Sequence, residues 1–121
     1  MVLVAVDDFL FRSKIRATAK AAGVEVTFAK TADEMLQLAR SLQPSMAIFD
    51  LNSAVLAPIE TIASMKQDQA LAGIRTLGFV SHVDTSRIEA ARAAGADEVL
   101  ARSAFAGNLA DILLTDRTAQ P

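Results

Sequence analysis

Residues 46–52, MAIFDLN, run four apolar side chains straight into Asp50. A strand covered on both faces gains nothing from a carboxylate at its tip. Asp50 is therefore either a loop residue marking the strand's exit or a charge delivered there for chemistry. What the rest of the chain brings to the same place separates the two.

Working outward, the chain repeats one phrase five times: a short β-branched run, then a stretch of helical period. The strand candidates are residues 2–6, 24–29, 46–49, 76–80 and 98–101. Most are continuously apolar, as parallel strands buried on both faces are. In the first helix Phe11, Ile15, Ala19 and Ala22 share a face, and Gly23 suits its end. Thr31 and Glu34 form a capping box for the second, whose inner face is Met35, Leu38, Ala39 and Leu42. Pro58 opens the third, followed by Ile59, Ile62 and Ala63. Asp84 or a neighbour caps the fourth, which carries Ile88, Ala91 and Ala94 and ends at Gly95. Leu109, Ile112 and Leu113 line the fifth. The alternation predicts an α/β doubly wound parallel sheet of five strands, flavodoxin-like, in the order 2-1-3-4-5. One domain spans residues 1–114, and 115–121 read as a frayed tail without apolar pattern.

The composition agrees. The chain has 121 residues, 52% hydrophobic and 21% charged, with a formal charge of −2 and no cysteine. Disulfides and thiolate metal sites are excluded, and no basic cluster indicates nucleic acid. No apolar run is long enough to span a bilayer, and MVLVAVDD turns acidic too soon for a signal peptide. The expected setting is cytoplasmic.

In the predicted order strands one and three are neighbours whose connections leave to opposite faces, and ligands bind in the crevice at their carboxyl ends. That rim collects Asp7 and Asp8 after strand one, Asp50 after strand three, Ser81 after strand four and Arg102 after strand five. Each has an ordinary alternative: an Asp in a turn or N-cap, Ser81 capping the fourth helix, Arg102 a solvated charge. Together they point into one place. Crowded carboxylates disfavour each other's ionised form unless a cation sits among them. An all-oxygen site with room for water suits Mg²⁺, and a hydroxyl and a cation opposite suit a phosphoryl group. The set describes a magnesium-dependent phosphoryl site with Asp50 as nucleophile.

With VAVDDF, IFDLN, Ser81 and AAGADEVLARSAF in view, the chain resembles the receiver domain of bacterial two-component response regulators over about residues 2–114. The resemblance implies that Asp50 takes a phosphoryl group from the phosphohistidine of a histidine kinase or phosphotransfer protein. It implies Mg²⁺ held by Asp8, Asp50 and the backbone carbonyl of Asn52, with Asp7 acting through water. Ser81 would bind a phosphoryl oxygen and draw the strand-four loop inward. A downstream protein, or a second copy in a homodimer, would meet the face of helix four, strand five and helix five.

The chain also departs from that family. Arg102 stands where the family has Lys, and Ser103 where it has Pro. Val99 occupies the place of a switching Tyr or Phe. His82 follows Ser81, where the family favours a small residue; it obstructs the phosphodonor, bonds the phosphoryl group, or is a plain loop histidine. The loop SAVLAP lacks the usual proline and Asp-Gly pair, and the roles of Asp7 and Asp8 are open to exchange. Two functions follow: a stand-alone phospho-receiver, or a pseudo-receiver interaction module that no longer switches. In the second, the alanines of helix four (Ala90, Ala91, Ala93, Ala94) form the docking surface. An independent enzyme is disfavoured, since no glycine-rich turn follows strand one and no Asp-x-Asp stands there. At most slow self-dephosphorylation is expected.

Overall fold

The computed structural model describes residues 1–81 and 84–118, with side chains through 115. Five parallel strands form one sheet: β1 (Val2–Ala5), β2 (Val26–Phe28), β3 (Met46–Asp50), β4 (Arg75–Val80) and β5 (Glu98–Ala101). Their order is β2-β1-β3-β4-β5, as the strand–helix alternation predicts. The helices are α1 (Phe9–Ala22), α2 (Ala32–Leu42), α3 (Pro58–Gln67), α4 (Thr85–Ala94), α5 (Arg102–Gly107) and α6 (Leu109–Thr118). None of the described helices is long and apolar enough to cross a membrane.

Each strand sends alternate side chains to opposite faces, and each face has its own core. Val2, Val4, Met46, Ile48, Leu77 and Phe79 pack with Phe11 and Ile15 of α1, Phe105 of α5, and Leu109 and Leu113 of α6. Leu3, Ala5, Ala47 and Phe49 pack with Met35 of α2, Ile62 and Met65 of α3, and Ala91 of α4. A helix layer on each side explains why the strand residues are apolar without alternation.

The caps follow the local sequence. Thr31 Oγ1 accepts the Glu34 N–H at 3.1 Å, while the Glu34 carboxylate reaches back to the Lys30 N–H at 3.0 Å, one residue before the cap itself. Asp84, not Ser81, caps α4 by accepting the Arg87 N–H at 3.1 Å. Gly23 and Gly95 end α1 and α4 at φ 72 and 108, backbone that L side chains rarely adopt.

Four features differ from the sequence reading. The second strand is shorter, because Val24 still closes the end of α1 through its N–H to Ala19 O at 2.9 Å. Leu42 is 41% exposed rather than inward, at the last position of α2 where the chain turns away at Gln43 (φ 46). The expected fifth helix is two: the break falls at Asn108, whose N–H reaches Ala104 and Phe105 and whose carbonyl starts α6. Helix α6 then continues to Thr118, into the expected tail; residues 119–121 lie outside the described residues.

The end of the sheet away from the Asp50 rim is closed by a polar staple. Asp97 Oδ2 accepts from the Thr76 N–H at 2.8 Å, Thr76 Oγ1 at 3.1 Å and Lys66 Nζ at 2.9 Å. Lys66 Nζ also donates to Ile74 O at 2.9 Å, so one ammonium joins α3, the entry to β4 and the turn before β5. Thr76 is fully buried, and losing its acceptor leaves a donor unsatisfied. Asp97→Ala is expected to lower stability by about 1–3 kcal/mol, read as a drop in the urea midpoint with the slope unchanged.

Candidate functional site

The carboxyl ends of the strands bring the predicted residues to one rim. Asp50 is the last residue of β3, paired with Phe79 of β4, and is 6% exposed. Its Oδ1 accepts the Asn52 N–H at 2.9 Å, an Asx turn that bends the chain out of the strand. The Asn52 side chain goes on to accept the Ser81 N–H at 2.8 Å, tying the exit of β3 to the exit of β4. His82, which follows Ser81, lies outside the described residues.

The two acids after β1 do different work. Asp8 is the N-cap of α1: Oδ1 accepts the Phe11 N–H at 3.0 Å, and Oδ2 accepts from Arg102 Nη2 at 3.2 Å. The Phe11 amide first and the Arg102 guanidinium second hold this carboxyl below its ordinary pKa. Asp7 is exposed, and its Oδ2 accepts from Ser53 Oγ at 3.0 Å. Arg102 is the first residue of α5, and its guanidinium lies 4.4 Å above the Phe11 ring.

Asp50 lies in the field of the other rim charges. Burial pushes the Asp50 carboxyl above its ordinary value of 3.8; the Asn52 amide opposes this, the Asp7 charge adds to it, Arg102 opposes it and Asp8 adds to it. The acids thus sense one another without forming a cage. Among the described residues, no three His, Cys, Asp or Glu side chains are grouped to hold a metal ion.

Three contributors were not legible beforehand. Ser53, 5% exposed, donates to Asp7 and accepts the Leu56 N–H at 3.3 Å, so it anchors the β3–α3 loop to the exit of β1. Arg87 of α4 donates through Nη1 to the Leu51 carbonyl at 2.7 Å, directly after Asp50. Phe11 underlies Arg102 and belongs to an aromatic trio, 5.2 Å from Phe79 and 5.8 Å from Phe105, with Phe79 and Phe105 stacked at 4.6 Å. Nothing in the spacing of Ser53 or Arg87 signals these contacts. The apolar face of α1 did point to Phe11, though only as core.

No protein-family model matches the sequence, and no curated protein matches it. Solved structures do match. A response regulator from Hahella chejuensis superimposes with a TM-score of 0.86 at 19% identity, covering 99% of this chain and 96% of that one. A response regulator protein from Burkholderia multivorans gives 0.76 at 27% identity, over 99% and 94%. The chemotaxis response regulator CheY4 of Vibrio cholerae gives 0.81 at 22% identity, over 95% and 96%. The chain has the fold of a response-regulator receiver domain, as the sequence motifs imply.

A raised carboxyl pKa makes Asp50 a cost to folding once it ionises. The folded state holds the Asp50 proton to higher pH than the unfolded chain does. Stability therefore falls as pH rises from 3.8, the unfolded value, through the folded one. Asp50→Asn keeps the acceptor for the Asn52 amide and removes the charge. The variant is expected to melt above the wild type at neutral pH, and the gain should vanish in acid below 3.8 when both are followed by calorimetry.

Proposed function

We propose that this chain is a receiver domain in a two-component phosphorelay, with Asp50 accepting a phosphoryl group from the phosphohistidine of a histidine kinase or phosphotransfer protein. The observation that carries the reading is Asp50 itself: a carboxylate at the tip of a central strand, 6% exposed, in the field of Asp7, Asp8 and Arg102. Desolvated carboxylates with like-charged neighbours cluster at functional sites, and a nucleophile whose oxygen bonds to phosphorus as the donor's N–P bond breaks uses such a place. Ser81 and Arg102, from the neighbouring strand ends, would receive the phosphoryl oxygens. The reading sets the protein in the cytoplasm, and hydrolysis of its own acyl phosphate is the only turnover it includes.

The donor set fits Mg²⁺, which takes oxygen ligands, needs only one or two carboxylates and keeps water for the rest. Asp50 and the Asn52 carbonyl would hold it, with Asp7 reaching it through water. Asp8 would join once free of Arg102. When bound, the ion offsets charge on the transferring phosphoryl oxygens.

Acetyl phosphate with Mg²⁺ should give one phosphoryl adduct on the wild type by intact mass and none on Asp50→Asn. Ser81→Ala should slow adduct formation by about 10²-fold, the usual effect of losing one donor to a developing charge. Absence of any adduct with every donor would reject the reading.

Two observations favour a second reading, a pseudo-receiver that docks but does not switch. Asp8 is already neutralised by Arg102, and Val99, in the place of the switching ring, is half-buried against the core. Output or dimer contacts would then use Ala90 and Ala93 of α4 beside β5. On that reading Asp50→Asn leaves partner binding unchanged in a pull-down, while Ala93→Phe weakens it.

A further inference from the structure

Both oxygens of Asp8 are occupied, by groups that arrive from different parts of the chain. One takes the Phe11 amide at 3.0 Å; the other takes the Arg102 guanidinium at 3.2 Å. Arg102 is itself held, because its planar head rests 4.4 Å above Phe11, and Phe11 is 6% exposed between Phe79 and Phe105. A guanidinium can stack on a ring with its face while donating sideways to a carboxylate. A lysine ammonium, a compact point charge, cannot do both in this way.

We propose that Arg102 is an internal lock on Asp8, occupying with its own charge the place of a divalent cation and withholding one carboxylate from it. The proposal rests on the reading of the rim as a Mg²⁺ site. A cation that recruits Asp8 competes with Arg102 for it, so completing the metal's ligand set and releasing Arg102 are one event. The released guanidinium is then a bidentate donor for phosphoryl oxygens at the same rim. The Asp8 and Arg102 side chains are 39% and 35% exposed, so the lock is a shallow one that a sufficient Mg²⁺ concentration opens. It sets the concentration at which the receiver becomes competent, rather than blocking it.

The test is Mg²⁺ titration followed by calorimetric melting of four proteins: wild type, Arg102→Met, Asp8→Asn and the double variant. Asn still caps a helix, and Met keeps an apolar stem over Phe11, so both substitutions are compatible with the fold. Arg102→Met is expected to lower the Mg²⁺ concentration needed for half-maximal stabilisation by roughly tenfold, the scale of one half-exposed ion pair plus a stacked cation. The same substitution in the Asp8→Asn background should give no such gain. An equal gain in that background overturns the lock, since Arg102 then acts only as a distant like charge. A wild-type response equal to that of Arg102→Met also overturns the lock and leaves the metal site standing. No response to Mg²⁺ in any of the four proteins overturns the lock and the metal site together, a result separable from Asp50 chemistry by the adduct measurement on wild type.

Discussion

Keeping a carboxylate out of water beside two other acids is unfavourable, and the rim of this sheet is organised around that fact. Asp50 is 6% exposed and lies in the field of Asp7 and Asp8. Each of the three acids is given a different remedy. Asp50 accepts a backbone amide, Asp7 accepts a serine hydroxyl, and Asp8 accepts an amide and a guanidinium. Only the last involves a full positive charge in direct contact, and it goes to Asp8, not to the buried Asp50. The buried one keeps its raised pKa. The imbalance between where the cation sits and where the desolvated charge sits gives the site its chemical character.

The fold makes this arrangement by reversing direction at β1. Helix α1 leaves on one face of the sheet, and α2, α3 and α4 pack on the other, so β1 and β3 become partners with their carboxyl ends side by side. Below the rim, the two cores hold those ends rigid from both sides. On the α1 side the Phe11–Phe79–Phe105 trio links α1, β4 and α5, the elements that carry or neighbour Asp8, Asp50 and Arg102. On the other side Leu51 closes over Gly78, where an added Cβ would lie 2.8 Å from a Leu51 methyl. The residue after Asp50 can pack inward only because β4 has no side chain at that point.

Two of the positions that differ from the receiver motif, Arg102 and Ser103, directly follow β5 at the rim. Arginine in place of lysine gains a planar head, and the ring beneath it comes from the start of α1. With Ser103 in place of proline, Arg102 can open α5 directly, and among the described residues no peptide bond is cis. The altered loop after Asp50 is stabilised in its own way: Ser53 ties it to Asp7, and Thr61 Oγ1 donates to the Ala57 carbonyl at 2.8 Å, where Ala57 has φ 40.

Some of this was readable from the chain alone. Continuous apolar runs ending in Asp50, Ser81 and the two acids after β1, alternating with helical period, point to a doubly wound parallel sheet, and five strands make 2-1-3-4-5 its strongest candidate order. Local caps such as Thr31, Asp84 and Gly95 were equally legible, since a cap depends on neighbours within four residues. The partners of the acids were not. That Arg102 meets Asp8 across 94 positions, that Ser53 meets Asp7 across 46 and that Arg87 meets the Leu51 carbonyl across 36 depends on how far the strands advance and how the helices lie on them. Pattern and propensity place residues at an edge; only the packed core sets the few ångströms that decide which charge touches which.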